Sequence, residues 1–461
     1  MEAEPAANPK CPGCAAAAKR VAELEARLAA LEALVEQLRR GGKRQAAPFS
    51  KGPPKADPKP PGRKGGDGYG GTKARRGVPP RVDESYEAPL PPACPCCGSR
   101  DVEHTHTAHP YQAEVPRTVI YRRFDVRVGR CRGCGTRVQG RHPLQASGAL
   151  GAAASQLGPD AQAVAAHLNK SAGLSYGKVT AFFRDVFGLA VSRGGSCQAV
   201  LRAGRRCAGT YAAIVAAARA APHVVPDETG WRVGGLGAWL HVAATPHAVA
   251  YLVHRRRGFD AAAELLGADF AGTLTRDGWA AYRRFRLAAH QLCVAHLLRR
   301  CREMLERATR GAVVFPRKVK ALLAEALAVR DERDGGRLTA RQAGERADDL
   351  DARAYALLRP VKRHRGNERF ARHLWANRGH LFTFLRHPGV DATNWRAEQA
   401  IRPAVVNRKV WGGNRTWAGA EAQSALMSVL QTAKLLGRDS MDFLSRLLRA
   451  PADRQPLLLP A

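Results

Sequence analysis

Apolar positions along the chain change their spacing several times, and each change predicts a different kind of element. Val21, Leu24, Leu28, Leu31, Val35 and Leu38 recur at alternating intervals of three and four residues, the a/d rhythm of a heptad helix. Glu23, Glu25, Arg27, Glu32, Glu36 and Arg39 fill the flanks. Residues 1–40 therefore read as a short coiled coil that assists dimerisation of a larger assembly, or as an amphipathic helix packed on its own chain. From 41 to 90 the rhythm lapses into Gly, Pro, Lys and Arg, which bury too little to build a core. That stretch is a basic disordered linker, suited to following phosphates. Three amphipathic helices, Pro159 to Lys170, Ser175 to Phe187 and Ser192 to Ala203, lie within 158–220 between Gly-containing turns. They suit a helix-turn-helix and a plain helical connector equally.

After Ala221 the spacing switches to short apolar runs. His223-Val-Val leads through Pro226 to Asp227, where the first strand should end. Trp239 to Ala244 and Ala248 to Val253 are further strands, divided by a Gly-rich turn and by Thr245-Pro-His. Spacing of this kind gives consecutive hairpins. Phe259 to Gly267 reads as a helix, Ala271 to Thr275 as a strand stopping before Asp277, and Ala288 to Val294 as a last strand beyond a short helix near Tyr282. The order β-β-β-α-β-α-β, with Asp at the ends of the first and fourth strands, is the ribonuclease-H-like arrangement. Residues 297–390 carry only helical spacing and read as an all-helical insertion. A helix from Asn394, which is able to cap it, places Glu398 one turn in and Arg402 and Lys409 on roughly the same face. The domain so outlined spans 221–436, and a C-terminal helix and tail occupy 437–461.

Charge narrows the partner. The net charge is +34, from 74 Lys+Arg against 40 Asp+Glu. Such a balance points to a polyanion, with nucleic acid first. The N-terminus has no signal-peptide apolar region, and no long apolar stretch without charge suggests a membrane span. The expected setting is intracellular. The 11 cysteines then read as metal ligands rather than disulfides. Cys94-Pro-Cys96-Cys97-Gly98 and Cys131-Arg-Gly-Cys134-Gly135 form two knuckles within 91–142. Cys94, Cys97, Cys131 and Cys134 supply four thiolates for tetrahedral Zn²⁺ in a zinc ribbon, with Cys96 an alternative to Cys94 at poorer spacing. The segment Val119 to Val128 alternates like a strand linking the knuckles. Arg122, Arg123, Arg130 and Arg132 crowd this module and suit DNA contact, whereas His104, His106 and His109 read as surface residues. Cys11 and Cys14 lack a nearby second pair.

Several long motifs follow one another in a known order. They are Asp-Glu-Thr-Gly-Trp-Arg at 227–232, Asp-Gly-Trp-Ala-Ala-Tyr at 277–282, Gln-Leu-Cys-Val-Ala-His-Leu-Leu-Arg at 291–299, Ala-Glu-Gln-Ala-Ile-Arg-Pro-Ala-Val-Val-Asn-Arg-Lys at 397–409 and Gly-Gly-Asn-Arg-Thr at 412–416. With the zipper, basic linker and four-Cys ribbon before them, the chain resembles transposases of the insertion-sequence 66 family. Trp279, where a Tyr is common, and Gln399, where an Arg is common, depart from the pattern without removing a metal ligand. The resemblance implies a DDE triad of Asp227, Asp277 and Glu398. It also implies action at the terminal inverted repeats of a mobile element and on target DNA, in a bacterial cytoplasm in association with the nucleoid, with small accessory proteins of the same element as partners; the zipper makes a homo-oligomer the expected working form.

Carboxylates suit hard cations such as Mg²⁺ or Mn²⁺, and a pair of such ions serves phosphodiester cleavage followed by strand transfer. Arg402, Arg408 and Lys409 would hold phosphates beside the acids. Glu228 competes with Asp227 but points to the opposite side if the strand continues. Glu368 and Glu421 are alternatives to Glu398. Trp395 suits stacking on an unpaired base and suits a core position. Cys293 and His296, one helical turn apart, favour packing near the site over metal binding or DNA contact. The multidomain α+β chain so described is expected to be a DDE transposase. A non-catalytic DNA-binding remnant and a nuclease or resolvase on the same fold are the alternatives.

Overall fold

The computed structural model describes residues 19–28, 30–31, 78–113, 115–145, 156–451 and 455–459. The chain divides into two units, 1–114 and 115–461. In the first, residues 19–28 and 30–31 are helical (α1), and Val21, Leu24, Leu28 and Leu31 stand more than half exposed. Val35, Leu38, Cys11, Cys14 and residues 41–77 of the linker lie outside the described residues. Cys94 opens a tight turn: its N–H donates to Ser99 O, and Gly98 N–H donates to Cys94 O. Gly98 holds φ +74° there, a conformation that glycine adopts without steric cost.

The second unit begins with an antiparallel hairpin of β1 (Val128–Arg130) and β2 (Arg137–Gln139). Its turn repeats the first: Cys131 N–H donates to Thr136 O and Gly135 N–H to Cys131 O. The strand expected over Val119 to Val128 begins only at Val128, where β2 supplies a partner. Four helices follow, α2 (Pro159–Lys170), α3 (Tyr176–Phe187), α4 (Arg193–Arg206) and α5 (Ala208–Ala220). The hydroxyls of Ser175 and Ser192 accept N–H groups from the first turns of α3 and α4, the usual N-cap arrangement.

The five-stranded sheet comprises β3 (His223–Val233), β4 (Leu236–Ala244), β5 (Val249–His254), β6 (Thr273–Arg276) and β7 (Ala289–Leu292), in spatial order β5-β4-β3-β6-β7. The first three strands are antiparallel, and β6 and β7 run parallel to β3. Gly234 and Gly235, both at positive φ, make the two-residue turn whose twist matches a hairpin. A parallel return to β6 needs a crossover, which α6 (Phe259–Leu266) supplies. One correction concerns β3. It does not end at Asp227 but continues six residues to Val233, because β4 pairs with it throughout. Pro226, which has no N–H for a ladder, falls just beyond the β6 rungs, which end at Val224.

Strand alternation sends neighbouring residues into two cores. Val224, Ala243, Ala250 and Leu274 face a core shared with α2 to α6, and with α13 (Trp417–Leu435) and α14 (Ser440–Arg449). Val225, Trp231, Val242 and Tyr251 face the other side, against Ala397, Ala400, Ile401 and Ala404 of α12 (Trp395–Trp411). The helices at 158–220 and the C-terminal helix, expected as separate units, thus share a core with the sheet. Edge strand β5 is covered by α13. Ser424, Ser428 and Thr432, one turn apart, accept the N–H groups of Val253, Tyr251 and Val249 at 3.0, 2.9 and 3.1 Å. Such pairing blunts an edge open to other strands. A third core belongs to α7 (Val294–Arg307), α8 (Val314–Asp334), α9 (Ala340–Leu358), α10 (Arg365–Trp375) and α11 (Thr383–Arg386), which lie between β7 and α12.

Candidate active site

Asp227 shares the odd-numbered face of β3 with Val225 and Trp231, the face that α12 covers. Glu398 follows Ala397, which is buried in that same layer. Asp277 follows the last residue of β6, and its Oδ1 accepts the N–H of Trp279 at 2.8 Å. Three separate elements therefore bring these acids within one another's field. Asp227 records it: burial first, then the charge of Glu228, and then Asp277 and Glu398, push its carboxyl up to about 7 against the pull of the Glu228 N–H. Low dielectric and like charge both favour the protonated form. Glu228 lies on the even face, where its side chain is 2% exposed.

The end of α12 is laced to β3. Trp231 Nε1 donates to Asn414 Oδ1 at 2.8 Å, and Asn414 N–H donates to Arg232 O at 2.9 Å. Gly413 sits at φ +124°, with no room for a Cβ beside Arg232 O. That close approach accounts for a glycine in the Gly-Gly-Asn-Arg-Thr loop. Arg408 belongs to this lacing too, since it donates to Gly230 O and to Thr229 Oγ1. Arg402 and Lys409 are exposed on the same helix. Trp395 is partly exposed; its Nε1 donates to Asp391 and Arg396 lies over its ring. Glu368 is engaged in the insertion by Arg372 and the Lys362 N–H, and Glu421 is exposed.

Asn394 does not cap α12 with its side chain. Its Oδ1 instead accepts the buried Cys293 thiol at 3.1 Å, and its N–H points to the same sulfur at 3.3 Å. His296 Nδ1 lies 3.2 Å from Cys293 Sγ, and its Nε2 lies 3.9 Å from Glu398 Oε1. Burial, then Arg299, lowers the His296 pKa, while Glu398 and Asp277 act to raise it. His296 thus stands at the edge of the acidic cluster.

Arg276, immediately before Asp277, carries no motif that marks it in the sequence. It is fully buried. Its Nε faces His290 Nδ1 at 3.3 Å, and its two terminal nitrogens donate to Asp277 O and Asn377 Oδ1, each at 3.1 Å, with His380 Nδ1 at 3.2 Å. Burial lowers the guanidinium to about 10. The group joins the end of β6 to β7 and to the helical insertion. A charged residue closing the apolar run Thr-Leu-Thr was its one trace in the sequence.

Cys94 and Cys97 belong to the first unit, and Cys131 and Cys134 to the second. Backbone N–H groups, chiefly from Cys97, lower the Cys94 pKa, and the Thr136 hydroxyl leads in lowering Cys134. Arg122, Arg123, Arg130 and Arg132 are exposed; Arg123 pairs with Asp125 at 3.2 Å. Among the described residues, no three His, Cys, Asp or Glu side chains converge closely enough to hold one metal ion, and no helix is long and apolar enough to cross a membrane.

Comparison with known proteins agrees with the motif order. The chain is 28% identical over 236 residues to the uncharacterized protein y4qI of Sinorhizobium fredii, a match covering 46% of this chain and 42% of that protein. The profile of the Transposase IS66 family matches residues 154–422, a span that holds Asp227, Asp277 and Glu398 and leaves out both cysteine pairs. With more than half of its length matched, the chain belongs to the IS66 family of transposases.

Proposed function

We propose that the protein is a DDE transposase, with Asp227, Asp277 and Glu398 as the catalytic acids of a ribonuclease-H-like domain. It would cut DNA at the ends of an insertion sequence and join the freed 3′ end to target DNA. One observation carries this reading: burial first, and then neighbouring charge that includes Asp277 and Glu398 from two other elements, push the half-buried Asp227 carboxyl up to about 7. The donor set suits a hard divalent cation, because burial and like charge on Asp227 are the condition that a cation relieves. The side chains would draw closer around it than they stand. Mg²⁺ or Mn²⁺ held by the three acids would supply Lewis-acid stabilisation of attacking and leaving oxygens. The chain's own residues do the rest. Glu398, half-buried on α12, faces substrate beside the exposed Arg402 and Lys409, which offer charge to phosphates. Arg408 holds the helix to β3. His296, beside Glu398, lines the approach to the acids.

Each knuckle turn by itself, Cys94 with Cys97 and Cys131 with Cys134, offers two thiolates suited to Zn²⁺, and the arginines beside the second turn would face DNA. The exposed apolar edge of α1 supports self-association, and accessory proteins of the element remain proposed partners. Strand cleavage and joining on DNA carrying the element's ends, with Mg²⁺, tests the central claim. Asp227→Ala, Asp277→Ala and Glu398→Ala should each slow joining by about a thousandfold, as the loss of several kcal/mol of charge stabilisation requires. Unchanged joining in Asp227→Ala and Asp277→Ala removes the assignment. A wild type that binds these ends and never cuts them, even with accessory proteins, favours a non-catalytic DNA-binding protein; cutting without joining favours a nuclease.

A further inference from the structure

No backbone rung joins β3 to β6 at Asp227 and Asp277. Parallel rungs join His223 to Thr273 and Val224 to Leu274, and stop there. Both aspartates lie beyond the last rung between β3 and β6, although β3 stays paired with β4 and β6 with β7, and like charge would drive them apart.

Side chains bridge the two strands at that point. Glu228 Oε2 accepts the Tyr282 hydroxyl at 2.6 Å, and Oε1 accepts Arg257 Nε at 2.9 Å. Tyr282 is buried in the 3-10 turn Ala280–Arg284 that follows Asp277. Arg257 lies between two indoles, its guanidinium carbon 3.9 Å from the Trp279 ring centre and 4.7 Å from that of Trp239. The Trp279 backbone N–H donates in turn to the Asp277 carboxylate at 2.8 Å. A connected path therefore runs from the residue after Asp227, through one carboxylate, to the turn that holds Asp277. Strand alternation turns Glu228 away from the face of Asp227, so Glu228 does not join the acids themselves. Its hydrogen bonds are charge-assisted and buried, which makes them short and directional.

We propose that Glu228, with Tyr282 and Arg257, is a positioning device that sets the separation of Asp227 from Asp277. This rests on the reading of those two acids as catalytic. Displacement of a reacting group by a fraction of an ångström costs rate steeply, so the network should show itself in metal affinity and in rate rather than in DNA binding.

The test compares wild type, Asp227→Ala, Tyr282→Phe, Glu228→Gln and the double Glu228→Gln/Tyr282→Phe in the full-length chain. Mn²⁺ binding is titrated without DNA, joining is measured across Mg²⁺ concentration, and a melting curve and end-binding assay accompany each variant. Tyr282→Phe removes a single hydroxyl, so it decides the question if Glu228→Gln fails to fold. The expected result is Mn²⁺ binding and joining each weakened about tenfold in Tyr282→Phe. Joining should recover at high Mg²⁺, DNA binding should stay unchanged, and the double variant should be no worse than Glu228→Gln. Wild-type metal binding and joining in both single variants overturn the proposal while leaving the catalytic acids in place. So does Glu228→Gln inactive at every Mg²⁺ concentration beside an unaffected Tyr282→Phe, which makes Glu228 a ligand. If Asp227→Ala matches wild type in both assays, the acids lose their role and the network loses its purpose with them.

Discussion

At the scale of single residues, Asp227 links stability to chemistry. Its carboxyl loses the proton only near pH 7, because burial and then neighbouring negative charge disfavour the anion. In the unfolded chain a free Asp ionises near 4. Between those two values the folded state holds a proton that the unfolded state has released, so stability falls as pH rises through that window. Asp227→Asn removes the cost. We expect a higher melting temperature than wild type at pH 8 together with loss of joining, and an advantage that shrinks toward pH 4. A melting temperature below wild type at pH 8 would count against like-charge crowding at this position. Arg276 makes the converse point. Its nearest partners are a neighbouring carbonyl, two imidazole nitrogens and an amide oxygen. Those side chains come from Asn377 and His380, about a hundred residues on, and from His290 on the next strand. No local pattern could have exposed that constellation.

At the scale of elements, the sheet is completed by a helix. Ser424, Ser428 and Thr432 fall on one face of α13 and supply acceptors where β5 lacks a neighbouring strand. Ser428→Ala leaves the buried N–H of Tyr251 without its acceptor, and a loss of about 1–3 kcal/mol is expected in urea unfolding. A loss within measurement error would mean that the edge is satisfied in another way. The helix and strand periods were legible in the chain, and so was Asp277 at the end of an apolar run. The continuation of β3 past Asp227 was not. Pro226 and Gly230 are strand breakers by local preference, and only nine consecutive pairings with β4, from Val225 to Val233, overrule them. Asn394 departs from its local preference for a related reason. A residue suited to capping by type found a buried thiol in place of the helix N–H groups.

At the scale of the molecule, a net charge of +34 favours a polyanionic partner, which the proposed function makes DNA. Binding to DNA without the element's ends should weaken steeply with salt, log affinity against log salt falling by about 0.9 per phosphate contacted. A slope near zero would assign the basic residues to another partner. Chain order alone suggested six modules. Among the described residues, the second unit builds three cores, and the segments before and after the sheet share one of them.

Periodicity, turn chemistry and charge are short-range properties, so the sequence by itself determined the kinds of element, the order of the strands, the shortlist of acids and the expectation of a polyanionic partner. Tertiary structure decided which acid faces which layer. Alternation along β3 turns Asp227 toward α12 and Glu228 toward Tyr282, and that division depends on a strand held straight by its partner. It also decided that the two aspartates stand beyond the last backbone rung between β3 and β6, where side chains drawn from distant segments bridge the gap.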